Sequence, residues 1–145
     1  MHKTIELKIV TPDRVLLTET VEGVSIPTVE GEITILPEHI PIIAAMKPGE
    51  LRIKKDGKES FFSVTRGVVE VDGKLITILV DAAERAEEID EKRAEEAKER
   101  AKLLMTEKRT DEESFTSAAA ELERALSRIR IARKRARGSR TSINQ

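Results

Sequence analysis

The sequence predicts an α+β chain: an N-terminal β-sandwich or flattened barrel of eight to ten short strands, followed by an antiparallel two-helix hairpin. Three observations predict it. All five prolines and six of the seven glycines fall before Asp81, and residues 82–137 hold neither. The first part alternates β-branched with polar residues, and the second is rich in Ala, Glu, Arg and Lys. Turn-formers collect where a chain reverses often and are excluded from helix interiors. The expected division is a sandwich over 1–81, a hinge over 82–89, a hairpin over 90–137 (helices 90–107 and 111–137) and a frayed tail over 138–145.

The elements follow in order. Ile5, Leu7 and Ile9 alternate with Glu6 and Lys8, the pattern of a half-buried strand. Thr11-Pro12-Asp13 turns the chain, and Val15 to Thr20 and Val24 to Pro27 read as strands. Glu30-Gly31-Glu32 reads as a turn before Ile33 to Leu36, and Pro37-Glu38-His39 breaks the chain before the apolar run Ile40 to Ala45. Beyond Lys47-Pro48-Gly49, Leu51 and Ile53 alternate. Asp56-Gly57 is a hairpin signal before Phe61, Phe62 and Val64, Arg66-Gly67 leads to Val69 and Val71, and Asp72-Gly73 is a second hairpin signal before Leu75 to Val80. Many short strands at this spacing fit a sandwich or barrel. Of the pair Phe61-Phe62, one ring is expected in the core and one outside.

In the second part, Asp90 is an N-cap candidate with Glu91 in the first turn. Ala94, Ala97, Ala101 and Leu104 share a face, shallow enough for close approach of another helix. Thr110 with Glu113 reads as a capping box for the second helix. That helix carries the stripe Phe115, Ala118, Leu122, Ala125 or Leu126, and Ile129. A short turn between them favours an antiparallel hairpin.

Composition excludes several functions. With no cysteine there is neither a disulfide nor a thiolate metal site, and two histidines are too few for a histidine metal cluster, so no metal and no required cofactor is expected. No apolar run approaches membrane-span length, and the N-terminal residues lack a signal-peptide apolar stretch, so any membrane association is expected through partners. The net charge is −1, which gives no global pull toward nucleic acid. It is unevenly placed: residues 1–81 hold 10 Lys/Arg against 13 Asp/Glu, residues 82–145 hold 16 against 14, and Arg124 to Arg140 holds eight basic residues and no acidic one. No aromatics interleave that run to stack on bases, so the partner expected is acidic protein rather than nucleic acid. No nucleophile elbow, P-loop or zinc-protease motif is present, so the chain reads as no enzyme.

The stretch from Glu30 to Pro41 (EGEITILPEHIP), continued by Lys47 to Ile53 (KPGELRI), resembles the epsilon subunit of the bacterial rotary ATP synthase. So do Gly67 to Val71, Thr77 to Asp81 and Ala82 to Ala86, in the family's order over nearly the whole chain. The resemblance implies a peripheral subunit on the central stalk at the cytoplasmic face of the bacterial membrane. It implies that the sandwich binds the gamma subunit and the c-ring and turns with them, coupling proton flow to ATP synthesis without chemistry of its own. It places Glu32 and His39 against the ring. It implies that the hairpin either folds down or extends along gamma to the alpha and beta catalytic subunits, where it inhibits ATP hydrolysis.

Ile89-Asp90-Glu91-Lys92-Arg93-Ala94 resembles the (Ile/Leu)-Asp-x-x-Arg-Ala motif of ATP-binding members of that family. The resemblance then implies a regulatory ATP site at Glu84, Ile89, Asp90, Arg93, Ala94, Arg100, Arg124 and Arg128. Its chemistry is sound, because arginines from two helices can grip triphosphate oxygens with charged, forked hydrogen bonds. Two alternatives remain beside the stalk subunit. One is a stand-alone nucleotide-binding regulatory module, and the other an adaptor whose basic tail binds acidic partners.

Overall fold

Strand alternation settles which residues form the core. The computed structural model describes residues 3–107 and 110–143, with side chains described through Arg135. Ten strands form: β1 (Ile5–Val10), β2 (Val15–Val21), β3 (Gly23–Thr28), β4 (Gly31–Ile35), β5 (Ile42–Met46), β6 (Gly49–Lys55), β7 (Lys58–Val64), β8 (Gly67–Val71), β9 (Leu75–Val80) and β10 (Ala83–Arg85). The inward set includes Leu7, Ile9, Ile26, Ile35, Leu51, Ile53, Phe62, Ile76 and Ile78, all buried. Full burial of each such side chain favours the fold by roughly 1.5–3 kcal/mol. Phe62 enters the core, and its neighbour Phe61 points away and is half-buried.

Hydrogen bonding runs in the order β10-β7-β6-β3-β5-β8-β9-β1-β2, with β4 added to β3. Between β3 and β5 the ladder narrows to one pair, Thr28 opposite Met46. There the sheet turns over into two layers, β10-β7-β6-β3-β4 and β5-β8-β9-β1-β2, with the core between them. The Glu22 N–H, between β2 and β3, donates to the Lys54 carbonyl of β6 at 2.8 Å and so extends the β3–β6 ladder, in which Gly23 lies opposite Lys54. All pairings are antiparallel except β1 with β9. Asp56 and Gly57 both take positive φ, at 52° and 74°, the two-residue turn whose twist matches a hairpin.

Two expectations about local structure are corrected. Glu32 is not in a turn; the turn lies at Val29 and Glu30, and Gly31, with φ 119°, already opens β4. The segment 82–89 is not all linker. β10 pairs with β7, placing Ala83 opposite Val64 and Arg85 opposite Phe62. Thr65 pins its approach: its N–H and hydroxyl donate to the Ala82 carbonyl, and the Ala82 N–H donates to the hydroxyl. The Arg85 guanidinium lies 5.1 Å from the centre of the Phe62 ring.

The chain divides into two compact units, one ending at Arg85 and one starting at Ala86. The second opens with a 3-10 turn, Ala86–Glu88, followed by α1 (Glu91–Glu107) and α2 (Glu112–Ile143). The backbone of α2 is thus helical beyond residue 137, through Gly138, whose cost in a helix is only about 1 kcal/mol. Of the expected tail 138–145, residues 144 and 145 lie outside the described residues. Asp111, not Thr110, caps α2: its carboxylate accepts from the Ser114 N–H at 3.4 Å and the Ser114 hydroxyl at 2.6 Å. The helices pack through Ala94 and Ala101 of α1 and Ala118, Ala125 and Ile129 of α2, all buried. Ala125 rather than Leu126 lies in the seam, since Leu126 is 44% exposed.

Candidate functional site

The hairpin seam brings arginines together. Arg93, Ala97 and Arg100 follow one another along α1, and Glu121, Arg124, Ala125 and Arg128 along α2; these seven line a cleft of about 400 Å³. That volume lies within the range of small-molecule sites. The two alanines are its small, apolar lining residues, Ala97 half-buried and Ala125 buried. Arg93, Arg100 and Arg124 are exposed and hold no ion pair or side-chain hydrogen bond among the described residues. Four cations against one carboxylate, Glu121, suit a polyanion with several oxygens to share.

Four of the eight expected nucleotide residues therefore converge: Arg93, Arg100, Arg124 and Arg128. Asp90 lies just before α1 as its N-cap, its carboxylate accepting the Arg93 N–H at 3.2 Å and its carbonyl the Ala94 N–H at 3.0 Å. Ile89 is half-buried, and its N–H donates to the Ala86 carbonyl at 3.3 Å. Ala94 is fully buried in the seam and so supports the helix pair. Glu84 belongs to the first unit, on β10 opposite Ser63. Sequence reasoning missed Glu121 and the alanine lining of Ala97 and Ala125. Helical spacing held a signal for Ala97, which stands four residues after Arg93 and three before Arg100.

Glu32 and His39 sit toward opposite ends of β4. Glu32 accepts from the Arg52 guanidinium of β6 at 3.0 Å, and its side chain is half exposed. The His39 Nδ1 lies 2.7 Å from its neighbour's carbonyl, Ile40 O, so that nitrogen is the donor. Before it, Glu38 takes φ 67°, a left-handed conformation that a non-glycine residue adopts at some cost, and its carboxylate pairs with Lys3 at 2.8 Å. Leu36 and Ile40, on either side, are 57% and 72% exposed. The segment thus presents two exposed apolar side chains around a turn held by the Lys3–Glu38 pair. Two further clefts, of about 380 and 300 Å³, lie on the β unit beside Arg52 and Gly67. Among the described residues no cluster of acidic or imidazole groups could hold a metal, and no helix is long and apolar enough to cross a membrane.

Comparison with known proteins agrees with both units. Residues 4–86 match the beta-sandwich domain of the ATP synthase Delta/Epsilon chain, and residues 83–133 match its long alpha-helix domain. The ATP synthase epsilon chain of Herpetosiphon aurantiacus is 43% identical over 131 residues, covering 90% of this chain and 96% of that one. The epsilon chain of Bacillus velezensis is 42% identical over 130 residues, covering 90% and 98%. Among solved structures, a chain of the mitochondrial ATP synthase of Euglena gracilis superposes with a TM-score of 0.73 at 27% identity, covering 83% of this chain and 76% of that one. A chain from the Tetrahymena thermophila mitochondrial ATP synthase (central stalk and c-ring) shares the fold, with a TM-score of 0.51 at 18% identity over 60% and 70%. With both domains matched in order and nine-tenths of the chain aligned to relatives above 40% identity, the chain belongs to the ATP synthase delta/epsilon family, as a non-catalytic central-stalk subunit of the bacterial epsilon type.

Proposed function

We propose that this subunit regulates ATP hydrolysis by the rotary synthase through its helical hairpin, and that ATP bound in the arginine cleft holds the hairpin in its folded state. The observation that carries this is the convergence of Arg93, Arg100, Arg124 and Arg128 on one cleft from two helices. In the same proposal the sandwich binds the gamma subunit and the c-ring, with Glu32 and His39 toward the ring, at the cytoplasmic face of the bacterial membrane. The extended hairpin and its basic end reach the alpha and beta subunits. The hinge lies within 82–89, after the β10 pairing ends at Arg85. No nucleic acid enters, and ATP is a regulator rather than a required cofactor.

The energetics are adequate. The helices meet through alanines, so the contacts that hold the hairpin are shallow. Ligand at about 100 times its dissociation constant stabilises the form that binds it by roughly 2.7 kcal/mol. That tips a two-state element whose states differ by less than this. Titration calorimetry with ATP on the wild type and on Arg93→Ala tests the site. Heat with the wild type and its loss in the variant are expected, and no heat at millimolar ATP removes the site. Adding the subunit to the catalytic head tests regulation. Hydrolysis should fall, and fall less when the added chain lacks residues 86–145.

A further inference from the structure

The seam between α1 and α2 has two unlike flanks. At about 100° per residue, Arg93, Ala97 and Arg100 lie to one side of the buried line Ala94 and Ala101, and Glu91, Glu95 and Lys98 lie to the other. The first flank is the cleft, where like charges face each other. The second is stitched by a single guanidinium from α2. Arg133 Nε donates to Glu91 Oε1 at 2.7 Å, and Nη2 donates to Glu95 Oε1 at 2.7 Å. Lys98 adds a bond to Glu95 at 3.0 Å. Two residues on, and on another side of α2, Arg135 pairs with Glu87 of the 3-10 turn.

The charge pattern is therefore that of a book bound along one edge. Attraction holds the Arg133 edge together, while the cleft edge gathers four arginines around one carboxylate, Glu121. We propose that the Glu91–Arg133–Glu95 fork is a positioning device for the cleft, an assignment that rests on the cleft being a nucleotide site. It holds α2 against α1 so that the four cleft arginines converge before a triphosphate arrives, which lowers the ordering cost of binding. By linkage, a triphosphate in the cleft strengthens the fork by the same factor. Local electrostatics agree: hydrogen bonding to Glu91 raises the pKa of the Arg133 guanidinium, and Lys98, then Arg133, lower that of the Glu95 carboxyl.

The test is calorimetric titration of the full chain with ATP at fixed ionic strength. Arg133→Gln removes the fork, Arg133→Lys keeps its charge, and Arg130→Gln removes a charge from the exposed face of the same helix. An exposed fork of this kind is expected to change affinity by about two- to fivefold. Arg133→Gln should weaken ATP by that factor, Arg133→Lys should recover most of the loss, and Arg130→Gln should match the wild type. Glu95→Gln, which removes half the fork from the other helix, should fall between Arg133→Gln and the wild type. Wild-type binding with Arg133→Gln unchanged, or equal losses in Arg133→Gln and Arg130→Gln, overturns the fork alone. No ATP binding by the wild type overturns the cleft and the fork together.

Discussion

Gly67 begins β8 where the backbone of β9 runs closest. A Cβ placed there would collide with the Leu79 carbonyl oxygen and the Val80 side chain. The obstacle is backbone, which cannot rotate away, so Gly67→Ala should lower stability by about 3 kcal/mol, read from the urea midpoint. Asp72 shows the opposite kind of residue, exposed yet structurally committed. Its carboxylate accepts the N–H groups of Lys74 at 3.1 Å and Leu75 at 2.9 Å, which hold its pKa below the ordinary 3.8. A depressed carboxyl stabilises the fold above its unfolded pKa and loses that contribution as pH falls through the folded value. Unfolding midpoints measured from about pH 5 downward should therefore drop less steeply for Asp72→Asn than for the wild type.

Among elements, the nine strands from β1 to β9 were legible because each is a short alternating or apolar run bounded by turn-formers. β10 was not, since Ala83-Glu84-Arg85 carries no alternation; the free edge of β7 and the hydroxyl of Thr65 make it a strand. The cap of α2 was misjudged by one residue because Thr110 and Asp111 are both good caps, and the side chain of Ser114 favours Asp111. The cleft was half legible. The resemblance grouped Arg93 with Arg100, and helical spacing put Arg124 and Arg128 on one face, but which residue of the second helix faces the first depends on how the intervening turn is wound. Asp90 has two conceivable roles that one pair of variants separates. Asp90→Ala should cost about 1 kcal/mol through the lost cap, and Asp90→Ser, which keeps a capping oxygen, should restore most of it. If ATP uses the carboxylate, Asp90→Ser recovers stability in thermal melts and leaves ATP affinity reduced; if not, both recover together.

For the whole molecule, the two units are built on different principles. The first buries Leu, Ile, Val, Met and Phe from residues 5 to 80, and the second buries mainly alanines, with Ile129 and Ile131, and adds surface ion pairs. A fragment ending at Arg85 keeps the entire β core and should unfold cooperatively by itself. One ending at Asp81 loses β10 and the Thr65 bonds, leaving the edge of β7 unpaired. It should be less stable by about 1–2 kcal/mol, measured by urea denaturation of the two fragments. Equal stabilities would mean that β10 only follows the sheet.

The parallel ladder between β1 and β9 has a consequence in time. Glu6 to Val10 pairs with Leu75 to Leu79, so the first strand of the chain waits for the ninth. Closing such a distant pair is slow compared with local contacts. During synthesis, β1 can zip to β2 early but presents a bare edge until residue 79 has emerged. The sandwich is thus finished almost last among its strands, just as the first helix begins to appear, and the order of translation delivers a completed platform before there is an arm to move.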